Sequence, residues 1–138
     1  MLLDIMALHA WWSRHDVVWA AVPAVDTLDR LAGERVHWVP EQRASRPFSL
    51  VPAVLSAWQI LRSERPDVIV SAGTGVAIGF FLASWLCRIP SIWLSTLNVV
   101  DTPGRAERLC ARVASAVLVQ QPELARAHRR AIVIGELY

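Results

Sequence analysis

Apolar positions along the chain alternate between two rhythms, one of helical period and one of short unbroken runs. Leu2, Leu3, Ile5, Met6, Leu8 and Trp12 recur at helical spacing, which predicts that the chain opens in an amphipathic helix. Val17 to Val22 then predicts a short buried strand. A helix around Thr27 to Leu31 follows, closed by Gly33, and Arg35 to Val39 predicts the next strand.

The polar segment Pro40 to Pro47 reads as a loop. Ser49 can cap a helix that carries Leu50, Val54, Trp58 and Leu61 along one stripe until Pro66 stops it, with Pro52 tolerated in the first turn. Next come a strand at Asp67 to Val70, a glycine loop, a helix from Ala77 to Leu86 and a strand from Ser91 to Leu94. Pro103 opens a helix to about Ala114, and Ala116 to Val119 is another strand. A short helix begins in Gln120 to Leu124, and Ala131 to Ile134 is a last strand closed by Gly135. Strands alternating with helices imply an α/β fold with a Rossmann-like parallel sheet and right-handed crossovers, in one domain spanning residues 1–138.

Doubly wound sheets of this kind begin with a central strand and its phosphate-facing loop, whereas this chain begins with a helix. The expectation is therefore a sheet whose first strand is missing. A central vacancy would expose two rows of backbone donors and acceptors, so either the coding sequence begins upstream or a partner completes the sheet.

Composition narrows the class. Apolar residues make up 54% of the 138-residue chain and charged ones only 19%, which excludes a disordered chain. All 14 basic residues are arginine, the net charge is only +2, and Arg14, Arg30, Arg62 and Arg88 are scattered rather than clustered, so nucleic-acid binding has no support. Cys87 and Cys110, the two cysteines, lack CxxC spacing and histidine neighbours; no metal, disulfide or cofactor site is indicated. The uncharged run Val68 to Cys87 is long enough to span a membrane, but Ser71 to Gly75 breaks it where a strand would hand over to a helix. Met1 to Trp12 does not read as a signal peptide, with Asp4 in place of a basic leader and no small-residue cleavage site.

Candidate chemistry gathers at three strand ends. Gly73, Thr74 and Gly75 lie between a strand and a helix start, where free N–H groups favour anions, although a packing turn explains them as well. Ser95, Thr96, Asn98 and Asp101 follow the next strand. Asp101 stands as the only carboxylate of that edge, and capping of the following helix is its plainer role. Gln120, Gln121 and Glu123 follow the strand after that and offer hydrogen bonds to sugar hydroxyls, or simply form a turn. Trp11 and Trp12, with Leu8 and Met6, suit either a membrane interface or a core. No catalytic residue is singled out.

Five blocks in order carry a family resemblance: Trp11 to Asp16, Ala32 to Val36, Arg65 to Ser71, Gly73 to Ala77, and Val119 to Leu124. Together they resemble the Alg fourteen-like family, whose bacterial members include the PssD-type subunits of exopolysaccharide synthesis. The resemblance implies the N-terminal half of a two-domain GT-B transferase related to MurG. It further implies an Alg thirteen-like partner subunit that binds the donor, UDP-N-acetylglucosamine or another nucleotide sugar, and a lipid-linked acceptor held by this chain. The implied location is peripheral, on the cytoplasmic face of the bacterial inner membrane, with this subunit recruiting its partner to the membrane surface. Two features depart from the family. Its Ser-Gly-Gly-His-type loop would end about where Met1 stands, and its glutamate after the fifth strand is Ser95 here. Those departures leave a second reading open, that of a non-catalytic scaffold which only binds a partner.

Overall fold

The computed structural model describes residues 2–40, 48, 50–72, 76–95, 105–120, 122–126 and 130–134. Helices α1 (Leu2–Met6) and α2 (His9–Trp12) open the chain, followed by β1 (Trp19–Ala21), α3 (Val25–Arg30) and β2 (Val36–Trp38). The second part comprises α4 (Leu50–Glu64), β3 (Ile69–Ser71), α5 (Ala77–Cys87), β4 (Ser91–Leu94), α6 (Arg105–Val113), β5 (Ala116–Val119), α7 (Pro122–Ala125) and β6 (Ala131–Val133).

The strict alternation expected from the apolar runs is present, and every strand pair is parallel. The strands form two sheets, β1-β2 and β3-β4-β5-β6. No pairing among the described residues joins the two sheets.

The opening helix is broken at Ala7 and Leu8. Ile5 O accepts the Leu8 N–H at 3.0 Å and the Trp12 indole Nε1–H at 3.1 Å, so a tight turn and a side chain serve the carbonyl there. Trp12 packs edge-on against Trp19, with ring centroids 5.4 Å apart, and both join Ile5, Met6 and Leu31 in a small core beside β1. Trp12 is therefore a core residue, while Trp11 is exposed. Helix α3 is started by Thr27, whose Oγ1 accepts the Ala24 N–H at 2.9 Å and donates to Val22 O at 2.7 Å. Gly33 ends that turn at φ +83°, a left-handed conformation that favours glycine.

The larger core sits between the second sheet and helices α5 and α6, around Ile78, Phe81, Trp93, Cys110, Val117 and Val119. Phe81 meets Trp93 edge-on at 5.6 Å. The buried stripe of α4 is Ala53, Ala57 and Leu61, with Leu50 and Val54 half-buried. Trp58, expected in that stripe, instead points outward under the Arg62 guanidinium, 4.9 Å from the ring centroid. Small residues win the inward positions because α4 packs directly on α5 through Ala57 and Ala83, where an indole would hold the helices apart. Among the described residues no helix is long and apolar enough to cross a membrane; the uncharged run Val68 to Cys87 is divided between β3 and α5.

Two elements are tied together by charge. Glu64, at the end of α4, accepts from Arg35 Nη2 at 2.6 Å and pairs with His37 Nε2 at 2.8 Å. Those bonds fasten β2 to α4 and hold the Glu64 carboxyl below its ordinary range, the hydrogen bond to His37 contributing most and the Arg35 charge less.

Candidate functional site

In parallel sheets of this kind, ligands bind at the carboxyl ends of the strands. Gly73, Thr74, Gly75, Thr96, Asn98 and Asp101, with Gln121, lie outside the described residues. Ser95, Gln120 and Glu123 are described, and the structure brings the first two together.

Ser95 immediately follows β4, and its N–H donates to Leu118 O at 2.8 Å, continuing the ladder to β5. Gln120 immediately follows β5 and donates through Nε2 to Ser95 O at 3.3 Å. The Ser95 hydroxyl donates to Glu107 Oε1 at 3.0 Å. All three side chains are buried, at 1% exposure for Ser95 and 3% each for Glu107 and Gln120. Glu123, by contrast, lies exposed on α7.

Glu107 was not among the residues expected here, and it corrects the expectation that Asp101 is the only carboxylate of this edge. It stands in the first turn of α6, where the helix dipole favours an anion. The signal available in the sequence was its register: Glu107, Cys110 and Ala114 fall on one face of α6, and all three are buried, while Arg108 and Arg112 are exposed. A glutamate on the inward side of a helix needs a partner, but only the fold shows that Ser95 is one. The same charge, second to burial, pushes the Cys110 thiol up to about 12, which keeps it protonated and unreactive.

Chemically, the arrangement is an anion held beneath the ligand-facing edge, with the Ser95 hydroxyl proton committed to it. Ser95 Oγ can therefore only accept a further hydrogen bond. Two open clefts among the described residues lie at the opposite edge of the sheets. One, about 460 Å³, lies beside Gly33 to Arg35 ahead of β2; the other, about 430 Å³, lies beside Pro90, Ser115 and Arg130 ahead of β4, β5 and β6. Neither contains Ser95, Glu107 or Gln120. Among the described residues no group of three or more His, Cys, Asp or Glu side chains is placed to hold a metal ion.

The fold is the Rossmann-like half found in GT-B glycosyltransferases and related epimerases. It superposes on MurG of Acinetobacter baumannii with a TM-score of 0.78 over 97% of this chain and 41% of that one, at 20% identity. A UDP-N-acetylglucosamine 2-epimerase from Rickettsia bellii gives 0.70 over 99% of this chain and 42% of that one, at 11% identity. No protein-family model matches the chain.

In sequence the homologues are glycosyltransferases. The chain is 35% identical over 94 residues to the UDP-N-acetylglucosamine--N-acetylmuramyl-(pentapeptide) pyrophosphoryl-undecaprenol N-acetylglucosamine transferase of Coxiella burnetii, which covers 68% of this chain and 25% of that protein. The transferase of the same name from Geobacillus kaustophilus is 31% identical over 78 residues, 56% of this chain and 21% of that one. The chain thus spans about a quarter of the length of the curated relatives it matches.

Proposed function

We propose that this chain is the acceptor-side half of a glycosyltransferase that moves N-acetylglucosamine, or another sugar, from a nucleotide donor to a lipid-linked acceptor. The observation that carries the reading is the 35% identity over 94 residues to a transferase whose name states both that sugar donor and an undecaprenol-linked acceptor. The identity extends through the greater part of this chain, whose described residues fold as one Rossmann-like half. In this reading the donor is held by a separate Alg thirteen-like subunit, and reaction occurs between the two halves by positioning and electrostatic stabilisation.

The acceptor edge in this reading is the strand-end region of Ser95 and Gln120, together with Gly73, Thr74, Gly75, Thr96, Asn98, Asp101 and Glu123 contributed by the segments beside it. Glu107 supports the edge by fixing the Ser95 hydroxyl as a hydrogen-bond acceptor.

Recruitment to a lipid surface has its own support in α4. Val51, Leu55 and Trp58 stand at successive turns of one face, exposed at 63%, 56% and 36%, and Phe48 ahead of the helix is 92% exposed. Apolar side chains with an indole, backed by Arg62, suit the interface of an anionic bilayer on the cytoplasmic face. This stripe, rather than the half-buried Trp12 of α2, is the stronger membrane-facing feature.

The test is sedimentation of the purified chain with vesicles that contain phosphatidylglycerol and a polyprenyl-pyrophosphate-linked sugar. Binding that rises with the lipid-linked sugar supports an acceptor-side subunit. Binding to the vesicles without regard to that lipid contradicts acceptor recognition and favours the scaffold reading, in which the chain only carries a partner to the membrane. No binding to either vesicle overturns both roles.

A further inference from the structure

The turns that enter the amino-terminal edge of the second sheet carry arginines: Arg65 follows α4, Arg88 follows α5 and Arg130 precedes β6. Arg65 and Arg88 both take the left-handed conformation, at φ +48° and +57°, where a side chain is strained and glycine is the ordinary choice after a helix. An arginine in such a place can serve the helix end by its charge. For Arg88 the last carbonyls of α5 are already served by the backbone: Trp85 O accepts the Arg88 N–H at 3.3 Å and Ser84 O accepts the Ile89 N–H at 2.9 Å. Its guanidinium makes no ion pair or hydrogen bond among the described residues, whereas Arg35 is paired with Asp16 and Glu64, and Arg30 with Asp26.

Arg88 lines the cleft of about 430 Å³ ahead of β4, β5 and β6, together with Trp85, Ser115 and Arg130. The polar side chains beside it are set as donors. Arg130 Nη1 donates to Ala114 O at 3.1 Å, which fixes that guanidinium and leaves its remaining N–H groups for another acceptor. Ser115 Oγ accepts the Ser91 N–H at 3.2 Å, so its own O–H remains a donor. No carboxylate stands among the described residues that line the cleft. Trp85, 63% exposed, forms an aromatic wall. Two guanidinium groups and a hydroxyl with no opposing carboxylate select an anion with several oxygens, and the indole face selects a planar ring attached to it.

We propose that this cleft binds a soluble nucleotide, with the phosphate oxygens between Arg88 and Arg130 and the base against Trp85. The cleft lies at the opposite edge of the sheet from Ser95 and Gln120, so the proposal is separate from the acceptor edge and does not depend on the transferase reading. The strained backbone at Arg88 is then kept for its side chain: glycine at that position relaxes the turn and loses the ligand.

The experiment titrates the 138-residue chain with uridine monophosphate and with inorganic phosphate by calorimetry, and follows the urea midpoint of each variant. Arg88→Gly is expected to raise the midpoint, by relieving the backbone, and to weaken binding of the nucleotide by about tenfold or more. Arg65→Gly, which relieves the same strain outside the cleft, should raise the midpoint and leave binding unchanged. Trp85→Leu should lower the affinity for uridine monophosphate to that for inorganic phosphate, without affecting the latter. Arg112→Ala removes the same charge from an exposed position of α6 outside the lining and should leave both affinities unchanged. The proposal is overturned by any of four results: no saturable binding of the nucleotide to the folded parent chain, undiminished binding in Arg88→Gly, a preference for the nucleotide that survives Trp85→Leu, or an equal loss in Arg112→Ala, which would mean diffuse surface charge.

Discussion

Removing the Ser95 hydroxyl and the Glu107 charge, singly and together, isolates the bond that organises the candidate site. In Ser95→Ala, a carboxylate at 3% exposure loses a donor at 3.0 Å, and a hydrogen bond to a buried charge contributes about 1.5–3 kcal/mol. In Glu107→Gln the amide oxygen still accepts from Ser95, but the charge assistance goes, roughly halving that contribution. Once Ser95 is absent, the charge of Glu107 has one interaction fewer to sustain it, so the same Glu107→Gln change costs less than it does in the native chain. The coupling across the double-mutant cycle is expected at about 1 kcal/mol, since contacts of Glu107 to other groups cancel in the cycle. Urea unfolding measures it, provided that the slope is unchanged and only the midpoints move. If the two single losses add to within about 0.3 kcal/mol, Ser95 and Glu107 do not act as a pair, and the account of the buried anion is wrong.

Other perturbations probe separate parts of the account. Native chain treated with an alkylating reagent near neutral pH should be modified at Cys87 well before Cys110, whose thiol is held up at about 12 by burial; equal rates, followed by peptide mass spectrometry, would contradict the packing of α6. The Glu64 carboxyl lies below its ordinary value of 4.5, so its contribution to stability is present above that pH and is lost as pH falls through the lower folded value. Thermal midpoints of Glu64→Gln and the parent chain should therefore converge in acid below 4.5 and diverge above it. Gly33→Ala should destabilise by about 1 kcal/mol in denaturant, because φ is +83° while the space around a new Cβ is open; no loss would mean that the turn relaxes freely. Leu55→Glu should abolish vesicle binding and leave the circular dichroism spectrum intact, since Leu55 is 56% exposed.

Much of the architecture was legible in the sequence because the apolar runs and their breakers carry local information. Gly33, Pro66, Pro90 and the Ser71 to Gly75 interruption mark boundaries that fall within a few residues of those observed. The features that were not legible depend on contacts between distant residues. The break in the first helix comes from the Trp12 indole reaching Ile5 O. The rotation of α4 that turns Trp58 outward is set by how closely α5 lets it approach, which periodicity alone does not encode. At the candidate site, Ser95 and Gln120 could be placed at the sheet edge from strand ends, but their link to Glu107 spans β4, β5 and α6. The division of the described strands into two sheets, β1-β2 and β3-β4-β5-β6, was likewise not legible, because the order of elements along the chain does not say which strands pair.

The central claim is tested most directly by transfer itself. The chain is mixed with a separately purified donor-binding half, labelled UDP-N-acetylglucosamine and a polyprenyl-pyrophosphate-linked acceptor, and lipid-extractable label is counted. The account predicts label in the lipid fraction only when both halves are present. Equal transfer by the donor-binding half alone, or none by the pair when each half is folded and the donor is bound, would contradict the assignment of this chain as the acceptor-side half.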